Sequence, residues 1–350
     1  MERRRLGTTD IELTTIGLGT WAFGGRWGGA DDAESEAACH AALDAGVNWI
    51  DTADIYGQGR AERVVGKVVR DRSDEVIVAT KGGVAWDLSS GSLRIWREAS
   101  GDYLRMSLER SLQALGLERV DLYQVHWPVP GVPAEETMGA LVDLKQEGKI
   151  GAIGVSNYDA ADLAAAAAAG PLDSFQVGYH VMRRQIEDAE LPWCREHGVG
   201  VLAYGPLAHG LLTGRMDATT TFPDDDWRAA SEFFTDELFP ERVAVARELA
   251  ELAEQSGRAG GGAELAVAWV LRRPEVTAAI VGARRPEQVV ADVRLADRPL
   301  TPDEDAEIER ILASHDPGIG RHYGHGEPPK ESDPAPSGDA RWDEVPEPPS

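Results

Sequence analysis

Residues 46–59, GVNWIDTADIYGQG, show the pattern that decides the fold. A helix-like stretch ends at Gly46, a residue typical of helix C-termini, and a short apolar run follows over residues 47–51. Such a run is typical of a buried parallel strand. The run ends at Asp51, and the turn after it carries Tyr56. The segment therefore predicts a strand that presents polar side chains at its C-terminal end.

The same pattern recurs along the chain from residue 15 to about residue 297. Apolar runs alternate with amphipathic, helix-like stretches, and the predicted strands are residues 15–20, 47–51, 76–81, 121–126, 152–156, 175–179, 200–204 and 278–282. Eight short strands that alternate with helices favour a (β/α)8 TIM barrel, an α/β fold, over an open sheet. The segment ahead of the first strand, residues 3–13, predicts a short N-terminal β-hairpin that caps the bottom of the barrel.

Two connections, residues 82–101 and 205–240, are too long to be simple turns. Both follow strands, so we expect them on the C-terminal face, where barrel enzymes place their active sites. Surface insertions are the alternative, but six aromatic residues in these loops favour a role in shaping a pocket. They are Trp86, Trp96, Trp227, Phe233, Phe234 and Phe239. Trp127 is a further candidate for the pocket wall.

The end of the chain differs in composition from the rest. Residues 318–350 are acidic, Pro-rich and nearly free of aliphatic side chains, which predicts a disordered tail after a barrel domain of residues 1–317. His322 and His325 have H-x-x-H spacing. A lone histidine pair on a flexible segment is weak evidence for a metal, and we expect no metal site.

The charge balance limits the partners. The 350 residues include 60 acidic and 35 basic side chains, a net charge of −25, which argues against a nucleic-acid partner. The acidic excess with few lysines raises the hypothesis of adaptation to high salt. A GC-rich genome that favours Arg and Ala explains the scarce lysines equally well.

Other features indicate a cytoplasmic protein with no membrane partner. Residues 1–10 lack the apolar core of a secretory signal, and no run approaches the roughly 18 apolar residues of a membrane-spanning helix. Cys39 and Cys194 lie in helix-like stretches and are interpreted as buried thiols in a reducing compartment. We expect a monomer, because no exposed apolar stripe is evident.

Four polar side chains fall at or just after the ends of successive strands: Asp51, Tyr56, Lys81 and His126. A phenol is too weak an acid for efficient proton transfer at neutral pH, and we expect Lys81 to lower the pKa of Tyr56. Asp51 would pair with Lys81, and His126 would orient a substrate carbonyl through a hydrogen bond. Each residue alone has an ordinary structural explanation, but the four together indicate an oxidoreductase that reduces aldehydes or ketones.

Longer segments make the chain resemble the aldo-keto reductase family over roughly residues 3–315. They are RLGTTDIELTTIGLGTWAFGG, GVNWIDTADIYGQGRAERVVGK, VIVATKGG, DLYQVHWP, IGAIGVSNY, AYGPLAHGLLTGR and AIVGARRPEQV. The chain looks most similar to the bacterial branch that includes general-stress reductases. The resemblance implies a TIM barrel without a Rossmann domain, an NADP(H) cofactor across the barrel mouth, direct hydride transfer to a small carbonyl substrate, and no metal. The family's catalytic tetrad falls on Asp51, Tyr56, Lys81 and His126.

The resemblance also implies cofactor-binding residues. Those expected around the nicotinamide are Gly19, Thr20, Trp21, Ser156, Asn157, Gln176 and Tyr204, which would stack on the ring. Those expected along the pyrophosphate and at the adenosine end are Gly205, Pro206, Leu207, Gly210, Arg215, Gly282, Arg284, Gln288 and Asp292. Arg284, with Arg285 as a second candidate, would bind a 2′-phosphate, because a planar guanidinium suits phosphate oxygens, and this favours NADP over NAD. Asp292 departs from the family, which often has an amide near the adenine.

Two other interpretations are weaker. A cofactor-binding regulatory subunit resembling the β-subunits of potassium channels is the alternative function, but the complete tetrad favours active chemistry. Residues 17–22, GLGTWA, match a dinucleotide-binding fingerprint. That fingerprint requires a helix directly after it, and the FGGRWGG that follows is unsuited to begin one. Residues 257–264, GRAGGGAE, are interpreted as a flexible connection without a function.

Overall fold

The chain begins with a hairpin below the barrel. The structure, a computed structural model, describes residues 1–25, 27, 29, 31–72, 76–89 and 93–319. Strands β1 (Arg3–Arg5) and β2 (Glu12–Thr14) pair antiparallel. Arg4 donates to the carbonyl of Val276, where the last barrel strand begins, and the Trp49 indole donates to the Thr14 carbonyl. The hairpin therefore covers the N-terminal ends of the strands, which confirms the predicted cap.

Eight parallel strands close into a barrel. They are β3 (Ile16–Gly19), β4 (Trp49–Asp51), β5 (Ile77–Gly82), β8 (Val120–Val125), β9 (Ile150–Ser156), β10 (Ser174–Gly178), β11 (Gly200–Tyr204) and β12 (Val276–Gly282). Each pairs with its neighbour in chain order, and β12 pairs with β3 to close the ring. The predicted TIM barrel is confirmed, and all eight predicted strands have ends within two residues of the observed ones.

Helices surround the barrel. They are α1 (Asp32–Asp44), α2 (Arg60–Arg70), α3 (Gly101–Leu115), α4 (Ala134–Gln146), α5 (Ala160–Ala169), α6 (Glu190–His197), α7 (Glu232–Thr235), α8 (Phe239–Gln255), α9 (Gly261–Leu271), α10 (Pro286–Asp292) and α11 (Pro302–Ala313). Local chemistry sets several of their ends. The Asp31 side chain accepts from the first amides of α1, and Thr301 and Glu304 form a capping box at α11. Gly116 ends α3 in the left-handed conformation that glycine adopts readily.

The core fills the barrel and the layer between strands and helices. Trp49 and Trp269 are completely buried, as are Cys39 and Cys194, so both thiols are structural as predicted. Gly17 is required where β3 crosses the Trp49 indole, because a β-carbon there would lie 2.2 Å from the ring.

Both long connections lie on the C-terminal face, as predicted. The first connection contains a second antiparallel pair of strands, β6 (Val84–Asp87) and β7 (Arg94–Arg97), outside the barrel. Residues 205–240 contain α7 and two 3₁₀ helices, Ala208–Thr213 and Trp227–Ala230. The completely buried Arg242 at the start of α8 anchors this loop through an ion pair with Asp236.

Some sequence predictions concern parts that are not described. The predicted tail, with His322 and His325, lies outside the described residues apart from residues 318 and 319. Within the described ranges, no helix is long and apolar enough to cross a membrane, and no group of side chains is suited to hold a metal ion.

Candidate active site

A cleft of about 870 Å³ opens on the C-terminal face, above the ends of the barrel strands. Its floor includes Asp51 at the end of β4, Tyr56 in the turn that follows, and His126 directly after β8. Lys81, near the end of β5, lies just beneath the floor and is almost fully buried. The four residues predicted from strand-end positions therefore meet at one place, because parallel strands bring their C-terminal ends to the same rim.

A buried ion pair lies at the centre of the floor. Lys81 Nζ is 2.6 Å from Asp51 Oδ2 and 3.0 Å from the carbonyl oxygen of Thr52. The other carboxylate oxygen, Asp51 Oδ1, accepts from the Gln176 amide at 2.8 Å. Both oxygens of Asp51 are thus satisfied, which an anion shielded from water requires. Gln176 was expected beside the nicotinamide. It lines the cleft and also contacts the tetrad directly through Asp51.

Tyr56 and His126 face each other above this pair. Lys81 Nζ is 3.5 Å from the Tyr56 hydroxyl, and the Tyr56 and His126 rings meet edge to face with centroids 5.8 Å apart. His126 Nδ1 is buried and has no hydrogen-bond partner among the described residues. A phenol and an imidazole that both reach the cleft can contact one small polar group, such as a carbonyl oxygen.

The electrostatics of Tyr56 differ from the expectation. Lys81 was expected to lower the pKa of Tyr56, but burial, followed by the Asp51 carboxylate, raises that pKa well above its ordinary value. Burial is the main cause, and the Lys81 ammonium does not offset it because this group lies closer to Asp51 than to the phenol. Burial also lowers the pKa of Lys81, against the opposing effect of Asp51. At neutral pH, Tyr56 therefore keeps its proton.

His126 is neutral. Burial, then the charges of Lys81 and Arg97, lowers the pKa of His126 well below its ordinary value. A neutral imidazole carries one N–H donor and one acceptor, so it can donate a single hydrogen bond without bringing a second proton to the site.

The predicted cofactor residues line one continuous wall. Fifteen of the sixteen border the cleft, namely Gly19, Trp21, Ser156, Asn157, Gln176, Tyr204, Gly205, Pro206, Leu207, Gly210, Arg215, Gly282, Arg284, Gln288 and Asp292. Thr20 is the exception. Its side chain is fully buried and donates to the Asp51 carbonyl oxygen, so it holds the end of β4 from behind.

Amide groups and a tyrosine form a network near His126. The Tyr204 hydroxyl donates to Asn157 Oδ1 at 2.9 Å, and the Asn157 amide donates to the His126 carbonyl at 3.0 Å. Asn157 adopts φ 62, a left-handed conformation that asparagine tolerates better than most residues. The network joins the ends of β8, β9 and β11 and fixes the position of the Tyr204 ring.

The opposite end of the cleft carries positive charge. Arg215, Arg228 and Arg284 all line it, and Arg284 donates to the Trp27 carbonyl. Arg285 does not border the cleft; it is 63% exposed and lies 3.7 Å from Glu34. The structure therefore separates the two arginines, and only Arg284 is positioned for an anionic ligand in the cleft.

Aromatic side chains cover part of the cleft. We call Trp21, Trp27, His209 and Trp227 the aromatic roof. Their rings are in mutual contact, with the Trp21 and Trp227 centroids 5.0 Å apart and those of His209 and Trp227 4.7 Å apart. Of these residues only Trp21 was predicted as a cofactor contact. Trp227 was predicted to help shape the pocket, whereas Trp27 and His209 were not, because the roof forms where two loops distant in sequence meet.

The glycine-rich segment of residues 257–264 also contributes, contrary to expectation. Ala259 and Gly260 line the cleft, and the buried Arg258 pairs with Glu264 and Glu304. These two ion pairs fix the segment, so it is a structured part of the wall at the start of α9. Of the tryptophans predicted to shape the pocket, Trp127 lines the cleft and Trp86 does not.

Comparison with known proteins defines the class. The model of the aldo/keto reductase family matches residues 15–313, which is most of the chain. The chain therefore belongs to the aldo-keto reductase family, whose members are oxidoreductases that use nicotinamide cofactors. The predicted resemblance is confirmed.

Two characterised relatives and two solved structures illustrate the range. Aldo-keto reductase YhdN of Bacillus subtilis is 38% identical over 316 residues, covering 89% of this chain and 94% of that protein. An NADH-specific methylglyoxal reductase of Escherichia coli is 34% identical, covering 89% and 98%. The glycerol dehydrogenase AKR11B4 from Gluconobacter oxydans has a TM-score of 0.83 at 38% identity, covering 90% and 96%. The holo form of AKR11C1 from Bacillus halodurans has a TM-score of 0.74 at 28% identity, covering 89% and 96%.

Proposed function

We propose that this protein interconverts aldehydes or ketones and their alcohols, with NADP(H) as cofactor and Tyr56 as the proton donor in reduction. The observation that carries the proposal is the arrangement at the cleft floor. A protonated phenol, a neutral imidazole and a buried Lys81–Asp51 pair meet beside a cleft of about 870 Å³. This arrangement supplies a proton and a hydrogen bond at one point of an enclosed site, which is what reduction of a carbonyl oxygen requires.

Each residue of the tetrad has a proposed role. Tyr56 donates its proton to the carbonyl oxygen, and His126 donates a hydrogen bond to the same oxygen and orients the substrate. Lys81, 3.5 Å from the phenol oxygen, stabilises the phenolate that remains after proton transfer. Asp51 holds Lys81 in place through the 2.6 Å contact and prevents the ammonium from losing its charge in the buried site.

The residues of the cleft suit a dinucleotide. Amide side chains of Asn157 and Gln176 contact His126 and Asp51 of the tetrad, and Arg215 and Arg284 line the same cleft, as an elongated ligand with a central pyrophosphate and a distal phosphate requires. When bound, NADPH would supply the hydride. Ser156 and Asn157 would hold its carboxamide, Tyr204 would support the nicotinamide ring, and Gly205 to Gly210 with Arg215 would follow the pyrophosphate.

The preference for NADP over NAD rests on Arg284. Arg284 lines the cleft and would contact a 2′-phosphate there. The Escherichia coli relative is described as NADH-specific, so membership of the family does not decide the cofactor. The relatives named for methylglyoxal reduction and for glycerol oxidation indicate small carbonyl compounds and polyols as the substrate class to try first.

Fluorescence titration with NADPH and with NADH, followed by NADPH oxidation with a panel of aldehydes and ketones, tests the proposal. We expect tight, NADPH-selective binding and turnover. Binding without turnover of any carbonyl or alcohol would favour the regulatory-subunit alternative. Equal affinity for both cofactors would contradict the role of Arg284 but not the reductase chemistry.

A further inference from the structure

The hairpin β6–β7 forms one side of the cleft near the tetrad. Val84, Leu93 and Ile95 of this hairpin line the cleft together with Trp127, the residue after His126. This part of the cleft, which we call the substrate end, has apolar walls close to Tyr56 and His126. Its walls suit a hydrocarbon or aromatic portion of a substrate.

Arg97 of the same hairpin does not itself border the cleft but lies beside residues that do. Side chains two residues apart on a strand share a face, so Arg97 lies on the face of Ile95. Directly across the hairpin, Arg97 is paired with Val84, which also lines the cleft. The guanidinium lies over the Trp127 ring, 4.5 Å from its centroid. Arg97 is thus held at the edge of the substrate end.

The donors of Arg97 are available. Two other arginines of this part of the molecule have acidic partners, since Arg228 pairs with Asp226 and Arg242 with Asp236. Over the described part of the chain, by contrast, the Arg97 side chain has no ion pair or hydrogen bond. A guanidinium stacked on an indole keeps its in-plane N–H groups free for a carboxylate. Its charge reaches the reacting groups, because after burial and Lys81 it contributes to lowering the pKa of His126.

The net charge of the protein makes this cation more significant. At −25, the chain as a whole repels anionic ligands. Arg97 is half-buried and, among the described residues, has no acidic partner, so the potential beside the apolar walls is locally more positive than the net charge suggests.

We propose that Arg97 binds an anionic group on the substrate, and that the cleft prefers aldehydes and ketones in which an apolar spacer joins the carbonyl to a carboxylate. The carbonyl would lie between Tyr56 and His126, the spacer against Trp127 and Ile95, and the carboxylate at Arg97. This inference rests on the proposed carbonyl-reducing function and adds a substrate class to it.

The experiment compares 4-formylbenzoate with its neutral methyl ester as substrates for NADPH-dependent reduction. In the wild type we expect a higher kcat/KM for the carboxylate, mainly through KM, and a preference that weakens as salt is added. In Arg97→Gln, the ratio of the two kcat/KM values should fall about tenfold, through loss of activity on the carboxylate rather than on the ester. Because the same ratio is compared between the wild type and the variant, the difference in intrinsic reactivity between the two aldehydes cancels.

Two further variants serve as controls. Arg94→Gln removes a charge from the other face of the same hairpin, where Arg94 lies opposite Asp87, and it should leave the ratio unchanged. Arg97→Lys keeps the charge without the planar guanidinium and should give an intermediate ratio.

The outcomes separate the two proposals. If the wild type reduces the ester but shows no preference for the carboxylate, or if Arg97→Gln retains that preference, the inference about Arg97 is overturned while the reductase function stands. If neither these aldehydes nor the wider panel is reduced, the proposed function itself fails. Retained reduction of the ester by Arg97→Gln shows that the variant is folded.

Discussion

The two ends of the cleft are built in different ways. At the tetrad end, the key groups lie at the ends of barrel strands, and the side chains of the Lys81–Asp51 pair are 1% and 4% exposed. At the arginine end, Arg215 and Arg284 lie on loops, where Arg215 is exposed and Arg284 is half-buried. Groups on buried strands are held in one geometry, whereas groups on exposed loops can change at little energetic cost. We infer that the chemistry is fixed at the first end and the cofactor preference is set at the second.

The largest expected effect is at the tetrad end. Tyr56→Phe removes the proton donor without changing the ring, and we expect kcat for carbonyl reduction to fall by about a hundred- to ten-thousandfold. NADPH binding, followed by fluorescence, should persist. Tyr158→Phe is the matched control, because Tyr158 packs against the core outside the cleft, and its activity should be unchanged. Wild-type turnover by Tyr56→Phe would refute the assignment.

Loss of a buried ion pair should lower the free energy of unfolding more than loss of an exposed one. Lys81→Met leaves the Asp51 carboxylate buried without a counter-charge, and we expect a loss of about 3–5 kcal/mol in the free energy of unfolding. Lys67 also lies 2.6 Å from a carboxylate, that of Glu36, but its side chain is 57% exposed. Lys67→Met should therefore change stability little. Urea denaturation of both variants measures the difference, and equal losses would show that burial of the pair is unimportant.

At the arginine end the expected effects are smaller. Arg284→Gln should raise the Kd for NADPH about tenfold and leave that for NADH nearly unchanged, because only NADPH carries the 2′-phosphate. Arg285→Gln should affect neither, since Arg285 points to Glu34 outside the cleft. Fluorescence titrations of both variants test this contrast. A larger effect at Arg285 would mean that the phosphate lies on the outer side of α10.

The smallest effect is expected from pH at Asp292. Burial raises the pKa of Asp292 to about 7, against the opposing charge of Arg215. Asp292 is therefore mostly neutral at pH 6 and mostly ionised at pH 8, where its negative charge would repel the phosphates of the cofactor. We expect the Kd for NADPH to rise about threefold between these pH values. In Asp292→Asn, titrations at the two pH values should agree; a pH dependence that survives the substitution would exclude Asp292 as its source.

The same contrast explains what the sequence could predict. The eight strands and the four residues of the tetrad were predictable. Strand periodicity places Asp51, Lys81 and His126 at one rim independently of the loop conformations, and Tyr56 follows Asp51 by only one turn. The direction of the Tyr56 pKa shift was not predictable, since it depends mainly on how deeply the phenol is buried and then on its distance from the Asp51 carboxylate.

Loop contacts were predicted less well. The resemblance placed Thr20 on the cofactor, but a buried hydrogen bond to the Asp51 carbonyl turns its side chain away from the cleft. Trp27 and His209 of the aromatic roof and the segment at Ala259 and Gly260 were missed, because each depends on packing between loops distant in sequence. Periodicity carries no information about such contacts.

The central claim is that the tetrad end supports direct hydride transfer to a carbonyl. Reduction of an aldehyde with NADPH dideuterated at the nicotinamide C4, followed by mass spectrometry and NMR of the alcohol, tests it most directly. The account predicts one deuterium on the carbinol carbon and a hydroxyl proton from solvent. An alcohol without deuterium on that carbon would contradict it.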